Sequence, residues 1–505
     1  MLKKSLALFL KLLIALMAGL IMPLAFAPFC VFPIAIISIA VLLALWVKTK
    51  TPQATFWLGY LFGLGYFGGS VSWVYISLQQ FGGIPPLLAI CFTLLFIVYL
   101  SLFPAITGYI LTRFFPENFK VKYFCAFPLC WIALEWVRSF FMSGFPWVLL
   151  GYSQTNSYLR GYASIGSVYA VSLITLILSA LIVYGFSRNR QRQITCSAIF
   201  IAIWLIGFAL SDISWTRPLG KPLSVSLIQG NIPQSLKWSP EHIKLSVQRY
   251  TDLTEKNWQS NLIIWPETAI PLPDYMLAPF FNRLGQEALQ HHSSLITGAL
   301  ILTRDHNSFY NGLIALGNAK GIYLKRRLVP FGETLPNIVF LKKLFNTLGL
   351  AEPGLTAGPL KQVELSAQGV TITPFICYEI AFPEQVRMFT PYHGFLLTIS
   401  DDAWFGHSLA PWQHLQMAQM RAIETGQMVV FVGNSGITAI IDPHGHIIAH
   451  ATPYAVAVLQ GQVQAMQGHT PWQGPGLYLM VVILMGMLLI TLKVRDAHRK
   501  RLKSE

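Results

Sequence analysis

The chain has 505 residues, 54% of them hydrophobic and only 11% charged, with a net charge of +15. Soluble domains carry roughly a quarter of charged residues, so this composition excludes an ordinary soluble enzyme and points to a membrane protein. Between Asp212 and Pro475 there are 17 Lys and Arg against 17 Asp and Glu, so the whole positive excess lies outside that stretch and no nucleic-acid partner is implied.

A helix needs about 20 mostly apolar residues to cross roughly 30 Å of hydrocarbon. Eight candidate spans occur in chain order, at about 5–26, 31–47, 55–76, 86–112, 123–142, 163–186, 194–211 and 476–493. The first has the basic start and the Ala25-Phe26-Ala27 end of a signal peptide, but Lys11 interrupts its apolar run and the span is read as retained. Alternate flanks carry Lys3, Lys4, Lys48, Lys50, Arg113, Lys120, Lys122, Arg188, Arg190, Arg192 and the basic tail after Lys493, whereas the opposite loops carry only Arg138 and Arg160. That bias obeys the positive-inside rule. It places both termini in the cytoplasm and residues 212–475 on the outer side. The predicted organisation is a seven-helix membrane domain (1–211), one outer domain (212–475), and an eighth helix with a basic tail (476–505).

Five of the six cysteines, Cys30, Cys91, Cys125, Cys130 and Cys196, lie in or beside spans, where a thiol packs as a small apolar group. Cys377 alone lies in the outer domain, without a disulfide partner there. It is either inert core or a thiol kept free for chemistry.

The outer domain reads as short β runs, Ser224–Ile228, Leu262–Trp265, Leu295–Leu300, Leu313–Leu316, Thr371–Ile376, Phe395–Ile399, Val429–Val432 and Thr438–Ile441. Helical patterns at Pro240–Gln259, Ala278–His291 and Trp412–Thr425 lie between several of them, which predicts an α/β domain with covered sheets. Asp442-Pro443-His444-Gly445 predicts a hairpin turn. The nearby His444, His446 and His450 have no Cys or acidic companion at ligand spacing and read as a solvated turn, with no metal implied.

Three polar residues stand where strands end: Glu267 after Leu262–Trp265, Lys325 after Ile322-Tyr323-Leu324, and Cys377 after Phe375-Ile376. Strand ends are where α/β sheets gather their chemistry. Singly, each has a structural reading as a helix cap, a solvated charge or a core thiol. Together they suit thiol acyl transfer. A carboxylate takes the thiol proton, a thiolate attacks a carbonyl, and an ammonium stabilises the developing oxyanion.

At these residues the sequence resembles the carbon-nitrogen hydrolase (nitrilase) superfamily and, within it, the membrane-bound apolipoprotein N-acyltransferases. The matching segments are Ile264-Trp265-Pro266-Glu267-Thr268, Tyr323 to Glu333, and Ile376-Cys377-Tyr378-Glu379, with Gln229 to Trp238 and Asp402-Ala403-Trp404-Phe405-Gly406. Gly144-Phe145-Pro146-Trp147 and Gly151-Tyr152-Ser153-Gln154, after the fifth span, extend the resemblance into the membrane part. It implies an αββα sandwich inserted into an eight-helix transmembrane bundle, with a catalytic triad of Glu267, Lys325 and Cys377. Glu333, Tyr378, Glu379 and Trp238 match supporting positions. The implied reaction moves an acyl chain from a phospholipid to the α-amino group of a diacylglyceryl-cysteine at an apolipoprotein N-terminus. The implied setting is the bacterial inner membrane with the catalytic domain in the periplasm. No metal or organic cofactor is implied, and the oligomeric state is not legible. Where the family has Asn, this chain has Asp401, which removes an NH donor.

Two lipid contacts are expected. Trp147 reads either as an exposed interfacial anchor or as part of the site, and Trp238 has the same alternatives. Phe340, Leu341, Leu344, Phe345 and Leu348 recur at helical spacing beside Lys342 and Lys343. That stripe is either a core helix or an arm laid on lipid. Two rival functions use the same residues differently. A membrane-anchored amidase would need fewer spans. A transporter with an inactive outer domain would need buried charges in its spans, where only Lys11 and Glu135 are candidates.

Overall fold

The apolar runs become long helices, and the balanced stretch after them becomes sheet. The protein is described from a computed structural model covering residues 2–115, 119–186, 188–335, 343 and 354–504. The chain forms two compact units: Met1–Tyr75, Pro86–Ile213 and Pro471–Glu505 in one, Ile76–Pro85 and Ser214–Thr470 in the other.

In the first unit five helices are long and apolar enough to cross a membrane: Leu6–Ala25, Pro86–Phe114, Tyr158–Gly185, Arg190–Asp212 and Gly476–Ala497. A sixth is reached if Pro52–Val71 and Val74–Phe81 are one broken span. Eight full-length spans are thus not found among the described residues. The run at 31–47 yields only the helix Pro33–Val47, because its first residues turn before Pro33. The run at 123–142 yields a helix ending at Arg138 after a π-helical turn, Lys122–Ala126, and its last residues form a separate turn at Phe141–Ser143. Helix Pro52–Val71 packs closely on Pro86–Phe114 because Gly59 and Gly63 face it. A Cβ at Gly59 would lie 2.4 Å from the Pro104 carbonyl oxygen.

After Arg138 the chain exposes Phe140, Phe141 and Met142, but the residues from Gly144 to Gln154 are mostly buried. Trp147 is 1% exposed, against Trp73 (5.1 Å between ring centroids) and Phe145. This corrects the exposed-anchor reading. The turn is held inside the unit because charged partners satisfy its backbone: Arg138 Nη1 donates to the Trp147 carbonyl (3.0 Å), and the Leu150 N–H donates to Glu135 Oε1 (2.7 Å). Glu135 therefore has a structural task.

The second unit holds two sheets. The six-stranded one runs, in spatial order, Ala457–Val463, Leu223–Gln229, Leu262–Ile264, Ser294–Leu302, Phe309–Gly317 and Ile322–Leu324, with the second, third and fourth strands parallel. In the nine-stranded sheet, His393–Ser400 lies parallel to both Val370–Ile376 and Val429–Gly433. The expected hairpin joins Ala439–Ile441 to Ile447–His450.

Strand residues alternate between faces, and the core shows which way each points. Ile264, Leu227, Leu397 and Ile399 meet between the sheets. Their neighbours Ile263 and Ile228 pack instead on Tyr250, Leu277 and Phe281 from helices Pro240–Glu255 and Asp274–Gln290. Leu396 and Phe431 pack on Leu415 and Ala418 of helix Ala410–Thr425. Both faces of both sheets are covered, which makes a four-layer αββα sandwich.

The segment Ile76–Pro85, which lies in sequence between membrane helices, belongs to this second unit. Ser77 Oγ donates to the Trp404 carbonyl (2.8 Å), and the Phe81 ring meets the Trp404 ring edge-on at 6.0 Å.

Gly298, inside strand Ser294–Leu302, shows how tightly the fold holds the backbone at Pro266 and Glu267. A Cβ there would lie 2.5 Å from the Pro266 carbonyl oxygen and 2.8 Å from Glu267 Cα. Gly298→Ala should cost about 1–3 kcal/mol of stability, as overpacking does. It should also lower activity more than an alanine at Gly285, where the nearest atom is 3.8 Å away. Thermal melting and turnover of the two variants check this.

Candidate active site

Glu267 lies three residues beyond Leu262–Ile264, and Cys377 comes directly after Val370–Ile376, so each sheet contributes one group from the end of an inner strand. Lys325 comes directly after Ile322–Leu324 and keeps the ladder going, its N–H donating to the Asn311 carbonyl (2.8 Å). Thr268 and Cys377 have φ of 45° and 52°, in the left-handed region that residues with a Cβ rarely adopt. Such strain gathers at functional sites, where the surroundings impose it.

The side chains meet in one cluster. Lys325 Nζ donates to Glu333 Oε1 (2.8 Å) and to Glu267 Oε1 (3.3 Å) and is 1% exposed. Asn311 Nδ2 donates to the same two oxygens, at 2.6 Å to Glu267 and 3.0 Å to Glu333. Glu267 Oε2 accepts the Asp401 N–H (2.8 Å), and Glu333 Oε2 accepts the Val329 N–H (2.8 Å). The Cys377 thiol is half-buried beside them.

These contacts set the charge states. Burial alone would neutralise Lys325, but the two carboxylates outweigh it and raise its pKa, so it stays an ammonium. Burial also pushes Glu267 up, yet Lys325, Asn311, the Asp401 N–H and Lys237 together hold it below the ordinary carboxylate value. Cys377 goes the other way. Burial raises its thiol well above the usual value, the Glu267 carboxylate adds to this, and Lys325 offsets only part of it. The resting arrangement is thus a neutral thiol beside an ionised base and a fixed cation, which is competent for base-assisted thiol attack.

Glu379 fastens the two sheets' contributions to each other. Its Oε2 accepts from the Ile376 N–H (2.8 Å) and from Tyr323 OH (2.7 Å). Its Oε1 accepts from the N–H groups of Arg326 (2.8 Å) and Arg327 (3.0 Å) and from Gln385. One buried carboxylate therefore ties the backbone before Cys377 to the backbone after Lys325. Tyr378 is buried, edge-on to Phe382. Trp238 is exposed. Trp147 belongs to the other unit, and Phe340, Leu341, Leu344 and Phe345 lie outside the described residues.

The geometry adds residues that motif reading passed over. Asn311 is one, and its signal was a lone amide within an otherwise apolar strand. His414 is another, its ring lying between Asp402 Oδ1 and the Cys377 carbonyl, 3.0 Å from each. Nothing in the helical pattern Trp412–Thr425 marks it, because nearly the whole of that helix, polar residues included, is buried in the fold, which a polar-rich pattern does not reveal.

The sandwich and its paired-sheet site define a carbon-nitrogen hydrolase domain, and residues 224–470 match the family described as carbon-nitrogen hydrolase. Residues 18–181 match the apolipoprotein N-acyltransferase N-terminal domain. The protein named apolipoprotein N-acyltransferase from Coxiella burnetii is 40% identical over 95% of this chain and 99% of its own length. Those from Pseudomonas putida and Vibrio cholerae are 39% and 37% identical, over 95% and 94% of this chain and 96% of each relative. The chain belongs to the apolipoprotein N-acyltransferase family.

The cluster yields two expectations. Asn311→Leu keeps the volume but removes a donor shared by both carboxylates. A hydrogen bond to a charged group contributes about 1.5–3 kcal/mol, so turnover should fall about tenfold to a hundredfold. The second concerns pH. Because Glu267 is held below the ordinary carboxylate value of 4.5, it is mostly ionised above that pH, and its protonation should reach the halfway point only below it. Between pH 8 and pH 5, turnover should show no decline that Glu267→Asp moves.

Proposed function

We propose that Glu267, Lys325 and Cys377 transfer an acyl chain from a phospholipid to the α-amino group of a diacylglyceryl-cysteine at an apolipoprotein N-terminus, in two half-reactions through a thioester. The observation that carries this reading is Lys325 Nζ bonded to Glu267 beside the Cys377 thiol, in a chain of this family.

In the first half-reaction Glu267 takes the thiol proton and the sulfur attacks the ester carbonyl. Lys325 faces the oxygen that becomes negative, and the tetrahedral adduct collapses to a Cys377 thioester. The departing lysophospholipid alkoxide receives the proton held by Glu267. In the second, Glu267 takes a proton from the acceptor amine as nitrogen attacks the thioester. An amide forms, and the departing Cys377 sulfur takes the proton held by Glu267, which restores the starting thiol and carboxylate. Glu333 and Asn311 keep Lys325 and Glu267 in place throughout. No cofactor takes part in these steps.

The several long apolar helices make this a membrane protein. The charge bias of the flanks supports the inner membrane, with both termini cytoplasmic and residues 212–475 periplasmic. An amidase would share the triad, but residues 18–181 match the acyltransferase N-terminal domain, which small-amide hydrolysis does not require.

Incubation with phospholipid alone should add an acyl mass to the peptide containing Cys377, removable by hydroxylamine, and Cys377→Ser should abolish turnover. Lys325→Met should lose about 10²–10³ in rate, as deletion of an oxyanion donor does. Arg326→Ala and Arg327→Ala should lose far less, because their guanidinium groups lie over Phe389 (3.9 Å) and Phe382 (3.7 Å). Full turnover by Cys377→Ser, or equal losses at the three cations, would overturn the assignment.

A further inference from the structure

Glu267 is held at both ends by one ion pair that lies outside the triad. Lys237, eight residues beyond Leu223–Gln229 of the six-stranded sheet, donates from Nζ to the Glu267 carbonyl oxygen (3.3 Å) and forms a salt bridge with Asp401 Oδ2. Asp401 comes directly after His393–Ser400 of the other sheet, and its N–H donates to Glu267 Oε2. Both side chains are almost fully enclosed, 2% exposed for Lys237 and 5% for Asp401.

The remaining valences of Asp401 are also used. Asn434 Nδ2 donates to Oδ1 at 3.0 Å. With its amide turned to satisfy both neighbours, Gln234 donates to Oδ2 at 3.1 Å and accepts from the Trp404 indole at 3.3 Å. An amide at position 401 would make the same main-chain contact with Glu267. It would leave the buried Lys237 ammonium without a counter-charge, and that ammonium acts on Glu267 as well.

We propose that Lys237 and Asp401 form a charge-matched positioning pair for Glu267, fixing its backbone and carboxylate while cancelling each other's field. This rests on Glu267 being the base. The charged and titratable groups facing Glu267 are then Lys325, Glu333 and the Cys377 thiol from the triad side, and Lys237 and Asp401 from the other. With the second set neutral in sum, the proton affinity of the base is left to burial, Lys325 and the hydrogen bonds from Asn311 and the Asp401 N–H. Removing Lys237 leaves a buried Asp401 carboxylate beside that of Glu267, which raises the latter's proton affinity. Removing the Asp401 charge does the reverse.

The test is the pH profile of single-turnover Cys377 acylation by phosphatidylethanolamine vesicles, using the full chain in detergent and reading the peptide mass. Lys237→Met should move the acid limb up by about one pH unit, the size of a neighbouring like-charge effect, and so lower the rate about tenfold on that limb. Asp401→Asn should move it down. The double variant buries no lone charge and should return the limb to within a few tenths of a unit of the parent. Thermal melting identifies any single variant that fails to fold, and the double variant then decides. A double variant no better than the worse single, or rate losses with no movement of the limb, would overturn the pair. If Glu267→Gln kept the parent profile, the base assignment would fall instead, whatever the pair variants did.

Discussion

One ammonium shared by two carboxylates in a space closed to water governs how the rest of the site is built. Lys325 is enclosed, and Glu267 and Glu333 make its charge tolerable there. The three groups sum to one negative charge. Burial, with the Glu267 carboxylate adding to it, keeps the neighbouring thiol protonated at rest, because Lys325 offsets only part of that effect. A neutral thiol resists the oxidation and stray alkylation to which a thiolate is open. The fourth and fifth charges of the cluster, Lys237 and Asp401, enter as a neutral pair and leave that arithmetic unchanged.

The groups come from different places in the chain, and the sandwich brings them together. Glu267 and Lys325 come from one sheet and Cys377 and Asp401 from the other, so their spacing depends on the apolar layer in which Ile264, Leu397 and Ile399 meet. Dispersion and area burial set that spacing. The carboxylate of Glu379 then sets the register locally, by accepting from backbone on both sides.

Much of this was legible in the sequence, for reasons that differ by element. The inner strands showed because their residues are apolar on both faces, as strands covered on both sides must be. Glu267, Lys325 and Cys377 stood out as a candidate triad because each follows a short apolar run at its end. The edge strand Ala457–Val463 did not, since its burial is mixed and its Gly461 and Gln residues read as loop. Asn311, Lys237 and His414 escaped for another reason. Each acts through a neighbour distant in the chain, and only the closed sandwich shows which neighbour that is. In the membrane part, hydropathy counted apolar turns as helix, which is how 31–47 and 123–142 came to be read as full spans. The burial of Trp147 was hidden because a polar-looking turn can lie inside when Glu135 and Arg138 serve its backbone.

The contribution of Ile76–Pro85 to the second unit bears on any attempt to free the catalytic domain from its membrane part. Cutting at the two places where the chain enters and leaves the sandwich, near Ser214 and Thr470, yields a continuous polypeptide that is nevertheless incomplete. It lacks the hydroxyl that serves the Trp404 carbonyl and the ring that covers the Trp404 indole, three residues from Asp401. The domain boundary is a property of the folded molecule and does not coincide with a pair of positions in the gene.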